Sequence, residues 1–382
     1  MSLKHEQPNP QHHDHDHDEQ HARFERMEHL TEYIYHRRTQ GLTRRDFLKY
    51  GLYLGLALPA VSAVLTGCGF GEQPQQIAAG PTPTATAVPT NTPLPTNTPR
   101  PPTATPEPTA TLEPSPTPIV PVIFGVIGDF GWAGAESQAV SDMVKSWNPE
   151  FIITTGDNNY PSGAAETIDR NIGQYYHEFI GNYVGEYGPG SPVNRFWPTI
   201  GNHDTDVEEG QAYFDYFTLP GNERYYSVDL GPMRMFALNS VAWYEPDGVY
   251  TDSVQAEWLR TELAKTSDRW KVVVFHHPPY SSDYRGSNSW MRWPYKEWGA
   301  DIVLCGHNHA YERLEIDGMT YLVNGLGGGA RYGNGEFVPG TQIYYWEMNG
   351  AQRGEVTPQR LSFEFFNRDG VLIDTCVLER NA

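Results

Sequence analysis

Cysteine is scarce: three residues in 382. That number excludes a disulfide-stapled scaffold. Cys305 and Cys376 lie in apolar, strand-like runs, where a thiol reads as a small buried side chain and no bond between the two is expected. Positive charge is also short, with 27 Lys and Arg against 47 Asp and Glu and a net charge of −20. Residues 121–382 alone hold 18 basic against 35 acidic residues, net −17. Such a chain is poorly suited to unaided binding of nucleic acid or of an anionic membrane surface. A phosphate substrate stays open, because bound metal ions reverse the local field. The apolar run from Tyr50 to Leu65 is shorter than the roughly 20 residues a helix needs to span a bilayer.

What is there divides the chain into four parts. Residues 1–40 form a polar tail with the run His12 to Glu19, whose imidazoles and carboxylates could hold a metal weakly. The plainer reading is a disordered, solvated segment. Residues 41–68 pair Arg44-Arg45 with the apolar run, then end in small residues, the layout of a secretory signal. The Arg pair resembles a twin-arginine export signal. Leu65-Thr66-Gly67-Cys68 resembles the lipobox of bacterial lipoproteins, in which the cysteine, here Cys68, is lipidated. A buried helix or an uncleaved anchor is the competing reading. Residues 69–120 are a linker. Within 81–119, 25 of 39 residues are Pro or Thr, which cannot bury a core. As extended polyproline it reaches roughly 120 Å at ~3.1 Å per residue, enough for a stalk.

Residues 121–382 carry the folded domain. Val122–Ile127, 151–155, 271–275 and 302–305 read as buried strands. Residues 134–147 read as a helix with Ala139, Val140, Met143, Val144 and Trp147 on one face. Residues 166–180 are a second helical stretch, and 253–265 a third, capped by Ser253 with Glu257 in its first turn and Lys265 in its last. Residues 225–239 form two strands around a turn at 230–232. Beyond Thr320 the chain is strand-like, with turns expected at Asn349-Gly350 and Asp369-Gly370. Strand–helix alternation followed by hairpins predicts an α/β fold of two mixed sheets sandwiched between helices.

Five clusters of ligand-type residues each close an apolar run: Gly128-Asp129, Gly156-Asp157-Asn158-Asn159-Tyr160, Gly201-Asn202-His203-Asp204, His276-His277-Pro278 and Gly306-His307-Asn308-His309. In α/β sheets, sites gather beyond the carboxyl ends of strands. Singly, each cluster has a plain explanation. Asp129 forms a turn, Asn202 to Asp204 cap a helix, Tyr160 packs on a sheet, and a histidine before proline sits in a core. Together they offer three Asp/Asn oxygens, one phenol and three imidazoles. That is the donor set of a pair of Fe, Zn or Mn ions, which ~3.5–4 Å apart can clamp a phosphate. Spacing alone does not choose between His276 and His277.

These motifs, spanning residues 128–313, resemble the calcineurin-like metallophosphoesterases and, within them, the purple acid phosphatases. Many of those relatives use Asp-x-His in the first motif. Here the histidine position is Gly131, and Tyr160 supplies the ligand, as in the purple enzymes, where tyrosinate-to-Fe(III) charge transfer gives the colour. The resemblance implies an α/β/β/α sandwich with a first metal, Fe(III), on Asp129, Asp157, Tyr160 and His309. It implies a second, Fe(II), Zn or Mn, on Asp157, Asn202, His276 and His307, with Asp157 bridging. His203 would sit by the phosphoryl oxygens as donor or general acid. Purple members often have further histidines after the His-Pro motif. This chain has Ser281 to Arg285 there, and Arg285 is either a replacement phosphate contact or an exposed loop residue.

The expectation is a lipid-anchored, extracytoplasmic phosphomonoesterase in which metal-activated hydroxide attacks phosphorus. A twin-arginine route suits it, since that route carries proteins already folded around their metals. A phosphodiesterase on the same centre, a non-catalytic surface binding protein and a metal-buffering lipoprotein are the alternatives. Residues 160–195 and 240–252 are expected to shape the pocket. Tyr311, Glu312 and Arg313 are expected behind the ligands, and Trp243 and Tyr244 in the pocket wall or the core.

Overall fold

The β-branched and aromatic runs become strands, and the sites they end in are set by how those strands are ordered. The computed structural model describes residues 120–380. The tail, the export segment with Cys68, and the linker up to residue 119 lie outside the described residues. Strand β1 (Val122–Ile127) leads to helix α1 (Ala135–Ser146) and strand β2 (Phe151–Thr154). A helical stretch follows: α2 (Ala165–Ile168), a π turn (Asp169–Gly173) and α3 (Gln174–Tyr176). Then come β3 (Phe196–Trp197), α4 (Gln211–Tyr216), β4 (Tyr226–Leu230), β5 (Met233–Ala237), α5 (Val254–Lys265), β6 (Trp270–Val274) and α6 (Tyr295–Trp298). The chain closes with β7 (Ile302–Cys305), β8 (Tyr311–Ile316), β9 (Met319–Asn324), β10 (Thr341–Tyr345), β11 (Gly350–Val356), β12 (Arg360–Asn367) and β13 (Leu372–Glu379).

Two mixed sheets result, as expected. One has the order β13-β12-β11-β1-β2-β3 and the other β10-β8-β9-β7-β6-β5-β4. Strands β1, β2 and β3 are mutually parallel, as are β5, β6, β7 and β9. Side chains of β6 and β7 alternate between two cores, as strands covered on both faces require. Val272 and Val274 of β6 join Phe124 and Val126 of β1 in the core between the sheets, while Val273 joins Leu259 and Leu263 of α5 in the core outside. Ile302 and Leu304 against Val303 and Cys305 repeat the pattern in β7. Ser253 caps α5 by accepting from the Ala256 N–H at 3.1 Å. Cys305 and Cys376 are both buried and free, in different cores.

Three expectations change. On α1 the buried residues are Ser137, Val140, Ser141 and Val144, with Met143 and Trp147 only partly buried. The Ser137 hydroxyl is inward because it donates to the Phe130 and Trp132 carbonyls at 3.1 and 2.5 Å, which draws the helix onto that loop. Asn349-Gly350 is no hairpin turn: β10 and β11 belong to different sheets, and the chain crosses between them there. Tyr311 and Arg313 do not stand behind the ligands. Both reach Asp374 of β13, Tyr311 Oη at 2.9 Å and Arg313 through Nε and Nη2 at 2.8 and 3.0 Å. They clasp β8 of one sheet to β13 of the other.

That clasp is largely buried, with the Asp374 side chain 9 % exposed. Asp374→Ala leaves a guanidinium and a phenol unpaired at a charge-assisted site, a loss of about 1–3 kcal/mol. Calorimetry is expected to show a fall of several degrees in Tm; an unchanged Tm would show that the sheets are held without it.

Candidate metal centre

Every sequence-predicted ligand sits just past a parallel strand end. Asp129 follows β1, Asp157 and Tyr160 follow β2, Asn202 follows β3, His276 follows β6, and His307 and His309 follow β7. The two sheets are stitched at this edge. Asn324, at the end of β9, donates from Nδ2 to the Val126 carbonyl at 3.1 Å and accepts at its own carbonyl from Thr155 Oγ1 at 3.1 Å. Donors from both sheets therefore converge on one place.

Two buried groups form there. In the first, Tyr160 Oη lies 2.9 Å from Asp157 Oδ2, 3.4 Å from Asp129 Oδ1 and 3.1 Å from His309 Nε2. In the second, Asn202 Oδ1 lies 2.8 Å from His276 Nε2 and 3.0 Å from His307 Nδ1, and the two nitrogens are 3.2 Å apart. Asp157 Oδ2 belongs to both groups, being also 3.2 Å from His276 Nε2. Separations near 3 Å between lone-pair atoms are the edges that metal–ligand bonds of ~2.0–2.2 Å produce. The donors thus fit a pair of metal ions, and Asp157 is the atom-level link between them.

Four of the donors are aimed by a second hydrogen bond, as ligands need to be. Asp129 keeps Oδ2 on the His307 N–H at 2.9 Å, and Asp157 keeps Oδ1 on the His203 N–H at 3.1 Å. That leaves one oxygen of each carboxylate for the centre. His276 Nδ1 donates to the Thr155 carbonyl at 2.8 Å, and His309 Nδ1 to the Ala330 carbonyl. Asp129, Asp157 and His307 have φ of 54°, 51° and 66°, left-handed values that non-glycine residues seldom adopt. Backbone strain of this kind collects at functional sites.

The electrostatics follow from burial. Burial alone would raise the Asp157 pKa, but the His276 and His203 charges overcome it and hold the carboxyl well below its usual range. For His276 burial favours the neutral ring, yet Asp157 and Asp129 push it up to about 9. A cation binding His276 therefore competes with a proton. Asp204 rises to about 6, first through burial and then through the Asp157 charge.

Other predicted residues take definite places. His203 is buried, donates from Nδ1 to the Pro161 carbonyl at 2.6 Å, and lies 4.4 Å from the Tyr160 ring. Arg285 is not an exposed loop residue. Its side chain is 5 % exposed, pairs with Asp283 at 3.5 Å and lies 4.9 Å over Tyr332, whose ring is 5.0 Å from His309. His277 is also close, with its ring 4.4 Å from His307 and Nδ1 2.9 Å from Ser240 Oγ. Glu312 accepts from Ser281, Ser282 and Thr341, and so pins the loop after the His-Pro motif. Trp243 and Tyr244 pack against the core.

Sequence reasoning gave no role to several buried polar residues. Asp204 accepts from the Asn158 and Gly201 N–H groups, at 2.9 Å each, and so ties the β2 loop to the β3 loop. Asn171, on the π turn, donates to the Tyr160 carbonyl at 2.7 Å and accepts from the Ala133 N–H. Asp204 stood inside a quoted motif. Asn171 had no signal, because a polar residue in a helical stretch reads as solvated. A cleft of about 780 Å³ opens beside Tyr160, walled by residues 132–136 and 328–332 together with Pro161, Arg170, Asn171, Trp346, Glu347 and Asn349. Of the stretches expected to shape a pocket, 160–195 contributes four residues to this cleft and 240–252 none.

Residues 123–311 match the family model of the calcineurin-like phosphoesterases. Among curated proteins the chain is similar to Fe(3+)-Zn(2+) purple acid phosphatase 12 of Arabidopsis thaliana, 28 % identical over 55 % of this chain and 47 % of the relative. It is 29 % identical to a purple acid phosphatase of Glycine max over 55 % of this chain and 48 % of the relative. The chain spans about half the length of these curated relatives. Among solved structures, the purple acid phosphatase PPD1 of yellow lupin (Lupinus luteus) superposes with a TM-score of 0.56 at 18 % identity, over 70 % of this chain and 55 % of that one. GAP50 of the Plasmodium inner membrane complex gives 0.54 at 16 %, over 69 % and 90 %. Both superpositions speak to the fold.

A side chain at Gly156 tests the arrangement. Its φ is +98°, and a Cβ there would lie 2.5 Å from His276 Nδ1. Gly156→Ala is expected to push His276 aside and lower the metal bound per chain, measured by elemental analysis, with the far-ultraviolet circular dichroism unchanged. Undiminished metal in a folded variant would remove His276 from the ligand set.

Proposed function

Starting from residues 123–311 as a calcineurin-like metallophosphoesterase domain, we propose that the protein is a dinuclear-metal hydrolase of phosphate monoesters. The observation that carries this reading is the shared oxygen: Asp157 Oδ2 stands 2.9 Å from Tyr160 Oη and 3.2 Å from His276 Nε2. Asp129, Asp157, Tyr160 and His309 would hold Fe(III), for which a phenolate and two carboxylates are hard anionic donors. Asp157, Asn202, His276 and His307 would hold Fe(II), Zn or Mn. The relative named as an Fe(3+)-Zn(2+) enzyme supports a mixed pair. Bound there, the two cations neutralise charge on the phosphoryl oxygens and supply an activated water.

The protein's own groups do the rest. Asp157 stays ionised because the His276 and His203 charges outweigh its burial. His203, positioned by its Nδ1 bond to the Pro161 carbonyl and packed on the Tyr160 ring, is the donor to the departing alkoxide. Arg285 stands in the loop after the His-Pro motif, held by Asp283, as a further contact for the phosphoryl group.

Iron-loaded full-length protein is expected to show a broad visible tyrosinate–Fe(III) band and to cleave phosphomonoesters. Tyr160→Phe should lose the band, and Asp157→Asn should lose metal and turnover together. A colourless protein with two Zn or Mn that still turns over would remove the iron assignment. Full turnover in Asp157→Asn would sink the dinuclear reading, and activity confined to diesters would make the protein a phosphodiesterase.

We also propose that the chain is exported and anchored through a lipid on Cys68, with residues 69–120 as the stalk. The support is the sequence order of Arg pair, apolar run, lipobox and Pro/Thr-rich segment. Among the described residues no helix is long and apolar enough to cross a membrane. Cys68→Ser in a bacterial host is expected to move the protein from the membrane fraction to the soluble fraction. Retention of the variant in membranes would argue for an uncleaved anchor instead.

A further inference from the structure

The 780 Å³ cleft shares the Tyr160 side chain with the metal centre but is otherwise built from residues the centre does not use. Its walls are aromatic and cationic. Trp132 comes from the loop after β1, with its ring 6.1 Å from Tyr160. Tyr332 comes from the loop after β9, with its ring 5.0 Å from His309. Trp346, just past β10, is 43 % exposed. Arg170 and Arg331 complete the wall. The floor near the centre is bare backbone, because Gly328 and Gly329 line it, and Asn349 fixes that strip by donating from Nδ2 to the Gly329 carbonyl at 3.0 Å. A Cβ on Gly329 would lie 3.1 Å from His309 Cε1, so the strip lies tight against a ligand ring.

Much of the polar chemistry on these walls is already engaged within the protein. Glu136 pairs with Arg368, and Arg331 donates to the Glu347 carbonyl. Asn171 is committed to the Tyr160 carbonyl and the Asn159 side chain. What the cleft offers a ligand is therefore mainly flat π surface, with guanidinium groups able to stack on a ring. Three of its aromatic rings come from different loops, and a single Trp at 43 % exposure would be ordinary on a surface. Here it stands over a glycine floor that runs to the ligand shell.

We infer that this cleft is the subsite for the alcohol half of the phosphoester, and that it takes a planar aromatic group, an aryl or nucleobase-bearing alcohol. The inference rests on the phosphoester reading above and names the substrate class for it. With phosphorus at the metal pair, the ester oxygen points past Tyr160 and the ring lies on the glycine strip between Trp132 and Trp346. The π turn has a part in this. It places Arg170 on the cleft wall while Asn171, the next residue, turns inward to hold Tyr160.

Three non-hydrolysable probes test the subsite by calorimetric titration of the metal-loaded full chain: methylphosphonate, cyclohexylphosphonate and phenylphosphonate. Stacking on aromatic side chains gives about tenfold or more per ring. Phenylphosphonate is therefore expected to bind about tenfold more tightly than cyclohexylphosphonate, which has similar bulk and no π face. Trp346→Ala should remove most of that difference and leave methylphosphonate binding unchanged. Trp132→Ala should do the same, and Trp346→Ala guards against a folding defect in the loop after β1. Equal affinities for the phenyl and cyclohexyl probes, or a preference untouched by both variants, overturns the subsite while the phosphoester reading stands. If no phosphonate binds to metal-loaded protein, the phosphoester reading falls and the subsite falls with it.

Discussion

One buried carboxylate oxygen organises this protein. Asp157 Oδ2 faces a phenol and an imidazole that come from different sheets. Keeping an ionised carboxylate at 1 % exposure is costly unless several donors face it. The fold supplies them: the His203 N–H on one oxygen, Tyr160 and His276 on the other. Everything nearby follows from holding those donors at hydrogen-bond distance. Glycines stand where a Cβ would displace a ligand. Three ligands accept left-handed backbone, and a further buried acid, Asp204, locks two of the loops together.

The sheets make this possible because their parallel strands end at a common edge. A single sheet would present its ligands in a row. Two sheets stitched by Asn324 and Thr155 bring the ends of β1 and β2 against those of β6 and β7, so that donors surround a volume. Tyr311 and Arg313 tie β8 to β13 through Asp374, so residues that follow a ligand motif directly in sequence serve cohesion between the sheets. Alternating strand residues then divide one core between the sheets from another beneath α5 and α6.

The charge balance of the chain has a consistent place in this picture. A domain with nearly twice as many acidic as basic residues would repel a phosphoester. The centre gathers only two carboxylates with three imidazoles, an amide and a phenol, and a pair of multivalent cations bound there would reverse the sign locally. The cleft beside it presents Trp132, Tyr332 and Trp346 together with Arg170 and Arg331.

Much of this was legible in the chain. Buried strands announced themselves as β-branched runs, the order of strands and helices gave two mixed sheets, and each ligand-type residue stood beside a Gly or Pro at a strand end. Those signals are local, set by periodicity and turn chemistry, so they survive without coordinates. What stayed hidden depended on contacts between distant segments. The choice of Asp374 as partner for Tyr311 and Arg313, the crossover at Asn349-Gly350, the inward turn of Asn171 and the aromatic cleft each join residues far apart in the chain. A sequence fixes which side chains are available and where strands stop. Only tertiary packing, which decides what lies across a gap of 3 Å, determines which of them share a hydrogen bond, a charge or a substrate.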